Sequence, residues 1–236
     1  MKVGILSCVY KRPGLTDCFA QQLARLKKFN TVPMIVGSEG EVSKDIARKY
    51  GLVYVEAPNK PLGAKFNAGM RIIKAWTPDY VMVLGSDDFI TDDYFKRWLK
   101  AVGEGWDIVG STDLYFYHLP TKRLGYWSGY GKGTGREGEC AGLGRTLSKK
   151  LLDKLGWTPW VSNLNMGLDA SMTGLVKKYN PKVKKFILKE ERLFAVDIKT
   201  SFNITDFGCF EKNLIMMPHE QIERLPEYMQ IANVQG

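Results

Sequence analysis

The chain has 236 residues and carries 34 basic against 25 acidic side chains, a formal net charge of +9. Apolar residues make up 44% and charged residues 25%, enough apolar surface to offset chain entropy, which excludes intrinsic disorder as the main state. The length fits one large domain, and no run approaches the roughly 20 apolar residues that a helical membrane span needs, so no transmembrane segment is expected.

In chain order, residues 3–9 form a continuous apolar run, the pattern of a strand buried on both faces. No small-residue cleavage site follows it, so the start reads as a first strand rather than a signal peptide. After a polar turn at Tyr10–Gly14, Phe19, Leu23 and Leu26 recur at helical spacing, predicting a helix over 17–29 capped by Thr16. A strand over 32–36, a helix capped by Ser43 and ending at Gly51, a strand over 52–55, a helix over 64–75 and a strong strand over 80–84 follow. Strands alternating with helices in this way predict an open, mostly parallel α/β sheet, whose ligands bind beyond the carboxyl ends of the strands. Further on, 106–110 reads as another strand, and 146–155 and 168–179 as helices. The tail from about Asn213 reads as a partly helical arm that packs back. The glycine-rich stretch 125–144 is too flexible for a regular core element and reads as a surface loop or a lid over a site.

Four scattered cysteines (Cys8, Cys18, Cys140, Cys209) show no C-x-x-C spacing, so no structural zinc site is expected, and free thiols in a reducing cytoplasm are. The charge is uneven, +3 over residues 1–120 and +6 over 121–236. This excess suggests an anionic partner and leaves nucleotide phosphates, nucleic acid and a membrane surface open.

Two constellations sit at the expected ligand edge. Asp87 and Asp88 are adjacent where the strand over 80–84 emerges. Like charges side by side need compensation by a cation, hydrogen bonds or solvent, and hard carboxylate oxygens suit magnesium or manganese. The competing reading has one of them capping the helix near 90–99. Lys65 and Asn67 fall in the first turns of the helix that follows Asn59, where free backbone N–H groups and a lysine favour a phosphate; a solvated first turn is the alternative.

Together these pieces resemble the nucleotide-diphosphosugar-binding half of GT-A glycosyltransferases, especially the large inverting family of small bacterial and phage enzymes. Tyr10-Lys11-Arg12-Pro13 is similar to that family's base-binding turn after the first strand. The stretch from Asn59 to Gly69 is similar to its N-x-G-x-x-x-A-R-N-x-G segment, with Lys65 in place of arginine. Gly85-Ser86-Asp87-Asp88 is similar to its D-x-D-D metal motif, with glycine replacing the first aspartate. The resemblance implies a GT-A, Rossmann-like fold, with a nucleotide-sugar-binding half over 1–115 and an acceptor-side half over 116–236 packed as one domain. It implies a nucleotide-diphosphate sugar donor bound by Tyr10, Arg12, Glu39, Asn59, Lys65, Asn67, Ser86 and Asp87, and a manganese or magnesium ion on Asp88 and Asp87. Asp169 matches the family's general base, with Glu137 and Glu139 in reserve. Some relatives add a late histidine to the metal, and His219 stands where it could do so, but an exposed turn histidine is the favoured reading.

The acceptor follows from charge and from family precedent. Residues 177–192 hold seven basic and two acidic side chains, a solvated face or a groove edge that meets phosphates. Lys177, Lys178, Lys184 and Lys185, with Trp127, Tyr130, Lys132 and Arg136 of the glycine-rich stretch, are the acceptor-binding candidates. Hydroxymethylated pyrimidines in DNA are the favoured acceptor, as in phage members of the family, and a cytoplasmic location goes with it. A polysaccharide, lipid or protein acceptor is the alternative. A non-catalytic nucleotide-sugar-binding protein and a nucleotidyltransferase are the alternatives of another class.

Overall fold

The computed structural model describes residues 1–234. In chain order the elements are β1 (Val3–Cys8), α1 (Pro13–Leu26), β2 (Thr31–Gly37), α2 (Glu41–Lys49), β3 (Val53–Glu56), α3 (Leu62–Ile73), β4 (Tyr80–Val83), β5 (Asp88–Ile90), α4 (Asp92–Val102), β6 (Ile108–Ser111), β7 (Leu114–His118), β8 (Arg123–Trp127), β9 (Thr146–Ser148), α5 (Lys149–Lys154), α6 (Leu168–Lys177), β10 (Val183–Phe186), β11 (Ala195–Lys199), α7 (Gly208–Glu211), β12 (Leu214–Met217) and α8 (Tyr228–Ala232). A seven-stranded sheet runs in the order β10-β6-β9-β4-β1-β2-β3. Its strands are parallel except β9, which pairs antiparallel with both β4 and β6. This is the helix-flanked, mostly parallel α/β sheet expected of the fold.

The apolar run of β1 is buried at every position because helices cover both faces of the sheet. Val3 and Ile5 point into one core with Phe19 and Leu23 of α1, and Leu6 and Cys8 into the other with Met70 and Ile73 of α3. The first core continues through Trp98 of α4, fully buried, whose indole N–H donates to Thr146 Oγ1 at 2.8 Å.

A second sheet, in the order β12-β8-β7-β11-β5, packs on the first core. It was not expected, because its strands are short and, apart from the β7–β8 hairpin, pair across long sequence separations. Within it β5 runs antiparallel to β11 with Asp88 opposite Asp197, so the strand that follows the acidic pair is clamped by a segment from the far end of the chain.

Several local expectations need correction. Thr16 lies inside α1, which starts at Pro13, and its N–H donates to the Arg12 carbonyl at 2.8 Å. Ser43 lies inside α2, which begins after Gly40 at φ +58°. Residues 146–148 form β9 rather than a helix, and Ser148 caps α5 by accepting from the Leu151 N–H at 3.2 Å. Neither aspartate caps α4, since Thr91 accepts from the Tyr94 N–H at 3.3 Å. The glycine-rich stretch is not one loop: residues 125–127 close β8, and Tyr126 and Trp127 are buried.

Candidate active site

The carboxyl end of β4 turns sharply at Gly85 and delivers Ser86, Asp87 and Asp88 to the sheet edge. The Gly85 N–H donates to Asp88 Oδ2 at 2.5 Å. A Cβ on Gly85 would sit 2.7 Å from Asp87 Oδ1 and 3.1 Å from Asp88 Oδ2, so the absent side chain leaves room where the two carboxylates converge. Asp197 of β11 completes the cluster: one carboxylate oxygen from each of Asp87, Asp88 and Asp197 lies within 4.8 Å of the others.

Positive groups hold this charge in place. Arg12, at the start of α1, donates to Asp87 Oδ2 at 3.2 Å and to Ser86 Oγ at 2.7 Å. Asn203 donates its amide to Asp87 Oδ2 from the loop after β11. Lys199 donates to Asp197 Oδ2 at 2.7 Å. Burial, reinforced by Asp197 and then Asp87, pushes Asp88 well above the usual carboxylate range. Burial pushes Asp197 up to about 6, with Lys199 pulling it down and Asp87 pushing it up. Burial by itself would lower Lys199, but Asp197 and Asp87 outweigh it and hold the lysine above its ordinary value. Asp197 Oδ1 is buried without a partner. A convergent set of hard oxygens, one of them unpaired, fits a divalent cation such as magnesium or manganese. His219 is exposed, with its Nδ1 3.2 Å from a Glu220 carboxylate oxygen, and it is not among the clustered ligands.

Two cavities meet at this cluster, both lined by Gly85, Asp87 and Lys199. The larger, about 560 Å³, runs toward β1 and α3 and takes in Tyr10, Arg12, Asn59, Lys65 and Ser86. Lys65 is buried and donates to the Val9 carbonyl at 2.7 Å and to Asn59 Oδ1 at 3.3 Å; burial lowers its pKa. Glu39 accepts from the Lys11 N–H at 2.9 Å and lines a separate cavity with Lys11 and Arg12 rather than this one. Asn67 is outside it: its amide donates to the Trp160 carbonyl at 2.8 Å and to Ser162 Oγ at 3.0 Å, tying α3 to the loop before α6.

The smaller cavity, about 360 Å³, runs the other way to Trp127, Tyr130, Arg136 and Asp169. Tyr130 meets Trp127 edge-on at 4.8 Å, and the Arg136 guanidinium stacks on Tyr130 at 3.8 Å. Asp169, in the first turn of α6, lies against Gly142, whose absent Cβ would come within 2.5 Å of its carboxylate. Of the three carboxylates considered for the base, only Asp169 lines this cavity. Glu137 accepts backbone N–H groups of Gly133 and Gly135, and Glu139 pairs with Arg136 at 2.8 Å.

The basic candidates are dispersed. Lys132 is exposed and lines neither cavity. Lys177 and Lys185 line a separate cavity of about 250 Å³ behind the glycine-rich loop. Lys184 pairs with Glu104 at 3.4 Å, and Lys178 lies over the Tyr179 ring at 5.0 Å. Asp197, Lys199 and Asn203 were missed by sequence reasoning. The available signal was period-two spacing: Asp197 and Lys199 are charged residues on one face of an otherwise apolar strand.

Residues 7–155, more than half of the chain, match the family model for glycosyl transferase family 2. The chain belongs to that family. It is therefore a glycosyltransferase with a GT-A fold, and the matched residues include the Asn59–Gly69 segment and the Asp87-Asp88 pair. No curated protein sequence matches the chain. Among solved structures, S. aureus TarS 1–349 is similar at 13% identity with a TM-score of 0.58, over 84% of this glycosyltransferase and 60% of that chain. A proposed nucleotide-diphospho-sugar transferase from Desulfovibrio desulfuricans G20 is similar at 13% identity and a TM-score of 0.50, over 98% of this chain and 94% of that one. The 4-diphosphocytidyl-2C-methyl-D-erythritol synthase from Anaerococcus prevotii is similar at 12% identity and a TM-score of 0.53, over 79% and 86%. At these identities the likenesses show the fold alone. Among the described residues no helix is long and apolar enough to cross a membrane.

Proposed function

We propose that this glycosyltransferase is metal-dependent and inverting, and that it moves a sugar from a nucleotide-diphosphate sugar to a 5-hydroxymethylpyrimidine in DNA. The observation that carries the reading is the meeting of two cavities at the Asp87, Asp88 and Asp197 cluster, with Asp169 in one and Arg12, Asn59 and Lys65 in the other. The larger cavity then takes the donor, with its diphosphate at the cluster. A divalent cation bound there supplies charge neutralisation of the departing diphosphate.

Asp169 takes the proton of the acceptor hydroxyl as that oxygen attacks the anomeric carbon, and direct displacement inverts the centre. Arg12 holds Asp87 and Ser86 in place at the junction. For the acceptor, support comes from the flat aromatic and guanidinium surfaces of Trp127, Tyr130 and Arg136, which match a base taken out of its stack. Arg136 also keeps a buried Nη2 without a partner, a donor suited to a base carbonyl or a phosphate. Lys177, Lys178 and Lys185 lie away from this slot, and their part in the reading is to hold backbone phosphates outside it.

The test is transfer of labelled sugar from a panel of nucleotide sugars to DNA containing 5-hydroxymethylpyrimidines, with unmodified DNA as control, in manganese and in chelator. Transfer to the modified DNA only, abolished by chelator and by Asp88→Ala in a folded protein, is expected. Transfer to a polysaccharide or lipid acceptor instead would overturn the DNA acceptor, and undiminished transfer in chelator would overturn the metal.

A further inference from the structure

Lys199 is the one ammonium at the seam of the two cavities, and it is 5% exposed. Its ammonium nitrogen lies over the rings of Phe116 and Phe210, 5.1 and 5.4 Å from their centroids, and those rings stack on each other at 4.2 Å. Aromatic walls on that side and carboxylates on the other keep the charge from swinging out to water. Its bond to Asp197 Oδ2 fixes the carboxylate so that Oδ1 stays unpaired.

We propose that Lys199 is a positioning cation that makes the carboxylate cluster bind a divalent cation weakly by itself and tightly only together with a diphosphate. The inference rests on the metal-dependent reading above and adds to it a residue and an order of binding. Asp87, Asp88 and Asp197 bring three negative charges, and Arg12 and Lys199 return two positive ones within hydrogen-bonding distance. The ionised cluster is therefore near −1, and a dication brings it to about +1. That sum attracts a diphosphate. Without Lys199 the cluster is near −2, so a dication binds it well and leaves a neutral site with little pull on phosphate. At separations of a few ångströms in a poorly solvated pocket, one unit of charge changes ion affinity by an order of magnitude or more. The design keeps a bare metal from settling in the site and couples its arrival to the donor.

The experiment measures manganese binding to the full-length protein by the loss of the free-ion paramagnetic resonance signal, with no diphosphate and with uridine, guanosine and thymidine diphosphate in turn. Three variants separate charge from contact. Lys199→Gln keeps a hydrogen-bond donor for Asp197 and removes the charge, Lys199→Met removes both, and Lys199→Arg keeps both. The expected result is that Lys199→Gln and Lys199→Met bind manganese alone at least tenfold tighter than the parent. They should also lose most of the enhancement that the diphosphate gives the parent, while Lys199→Arg behaves as the parent. A structural role alone would weaken manganese binding in Lys199→Met and spare Lys199→Gln, which overturns the proposal. Equal binding by the parent and Lys199→Gln, with the diphosphate enhancement intact in both, overturns the role of Lys199 and leaves metal dependence standing. No manganese binding by the parent in any condition overturns metal dependence and this inference together.

Discussion

Gly142→Ala tests the placement of Asp169 without replacing a polar group. The added Cβ would come within 2.5 Å of Asp169 Oδ2 and 2.8 Å of Oδ1. Ordinary contact lies near 3.4 Å, so the carboxylate must move by about 0.9 Å. The move is inexpensive for the fold because the obstacle is the free end of a side chain, and Gly142 has no positive φ that would strain an alanine. For the chemistry it is not, because a displacement of about 1 Å of a positioned catalytic group costs roughly 100-fold in rate. Gly142→Ala should therefore lower kcat about 100-fold, close to the effect of Asp169→Asn. It should leave the thermal midpoint within a few degrees and donor binding unchanged, since Gly142 does not line the larger cavity. Steady-state kinetics at saturating donor, donor binding by calorimetry and circular dichroism make the three readouts. A folded Gly142→Ala protein with an unaltered kcat would refute the assignment of Asp169 as the base.

Other outcomes follow from the core and the titrating groups. Trp98→Ala leaves a void in the first core and removes the bond to Thr146, so unfolding in urea should lose about 3–5 kcal/mol of stability. In chelator, the folded protein holds protons on Asp197 up to about 6 where the unfolded chain releases them near the ordinary 3.8. Stability from this group is thus full at the acid end of that window and falls, on the order of 1–3 kcal/mol, as pH rises through it. Asp88 acts in the same direction. Urea titrations at pH 4.5 and 7 should show that fall in the parent and a shallower one in Asp197→Asn. Burial pushes the thiols of Cys8, Cys18 and Cys140 up, and only Cys209 is exposed. A disulfide reagent at pH 8 should therefore titrate one thiol quickly in the native protein and four after denaturation.

The alternating strands and helices of the first 85 or so residues were legible in the sequence, because period-two and helical spacing are local properties that burial on two faces imposes directly. The carboxyl edge of that sheet was legible for the same reason. Once the strands are parallel, whatever follows each one shares an edge, and this put Tyr10, Asn59, Lys65 and the Asp87-Asp88 pair together before any coordinates. Threonine and serine signals misled at helix starts. Thr16 and Ser43 are good capping residues by type, but Pro13 and the positive φ of Gly40 begin those helices earlier.

The sequence by itself determined the fold class and half of the site. Only the tertiary structure decided the rest, because the adjacent strands β7 and β8 join β5, β11 and β12, short strands far from them in the chain, in one sheet. Their pairing depends on packing against a shared core rather than on local pattern. The register of β11 on β5 sets Asp197 opposite Asp88 and carries Lys199 to the seam of the two cavities. The same packing puts Lys177 and Lys185 around a separate cavity and turns Lys184 to Glu104. A run of like charge in sequence says only that solvent or an anion must meet it. Which surface it covers is fixed by where β10 joins the sheet, a long-range contact with no local signature.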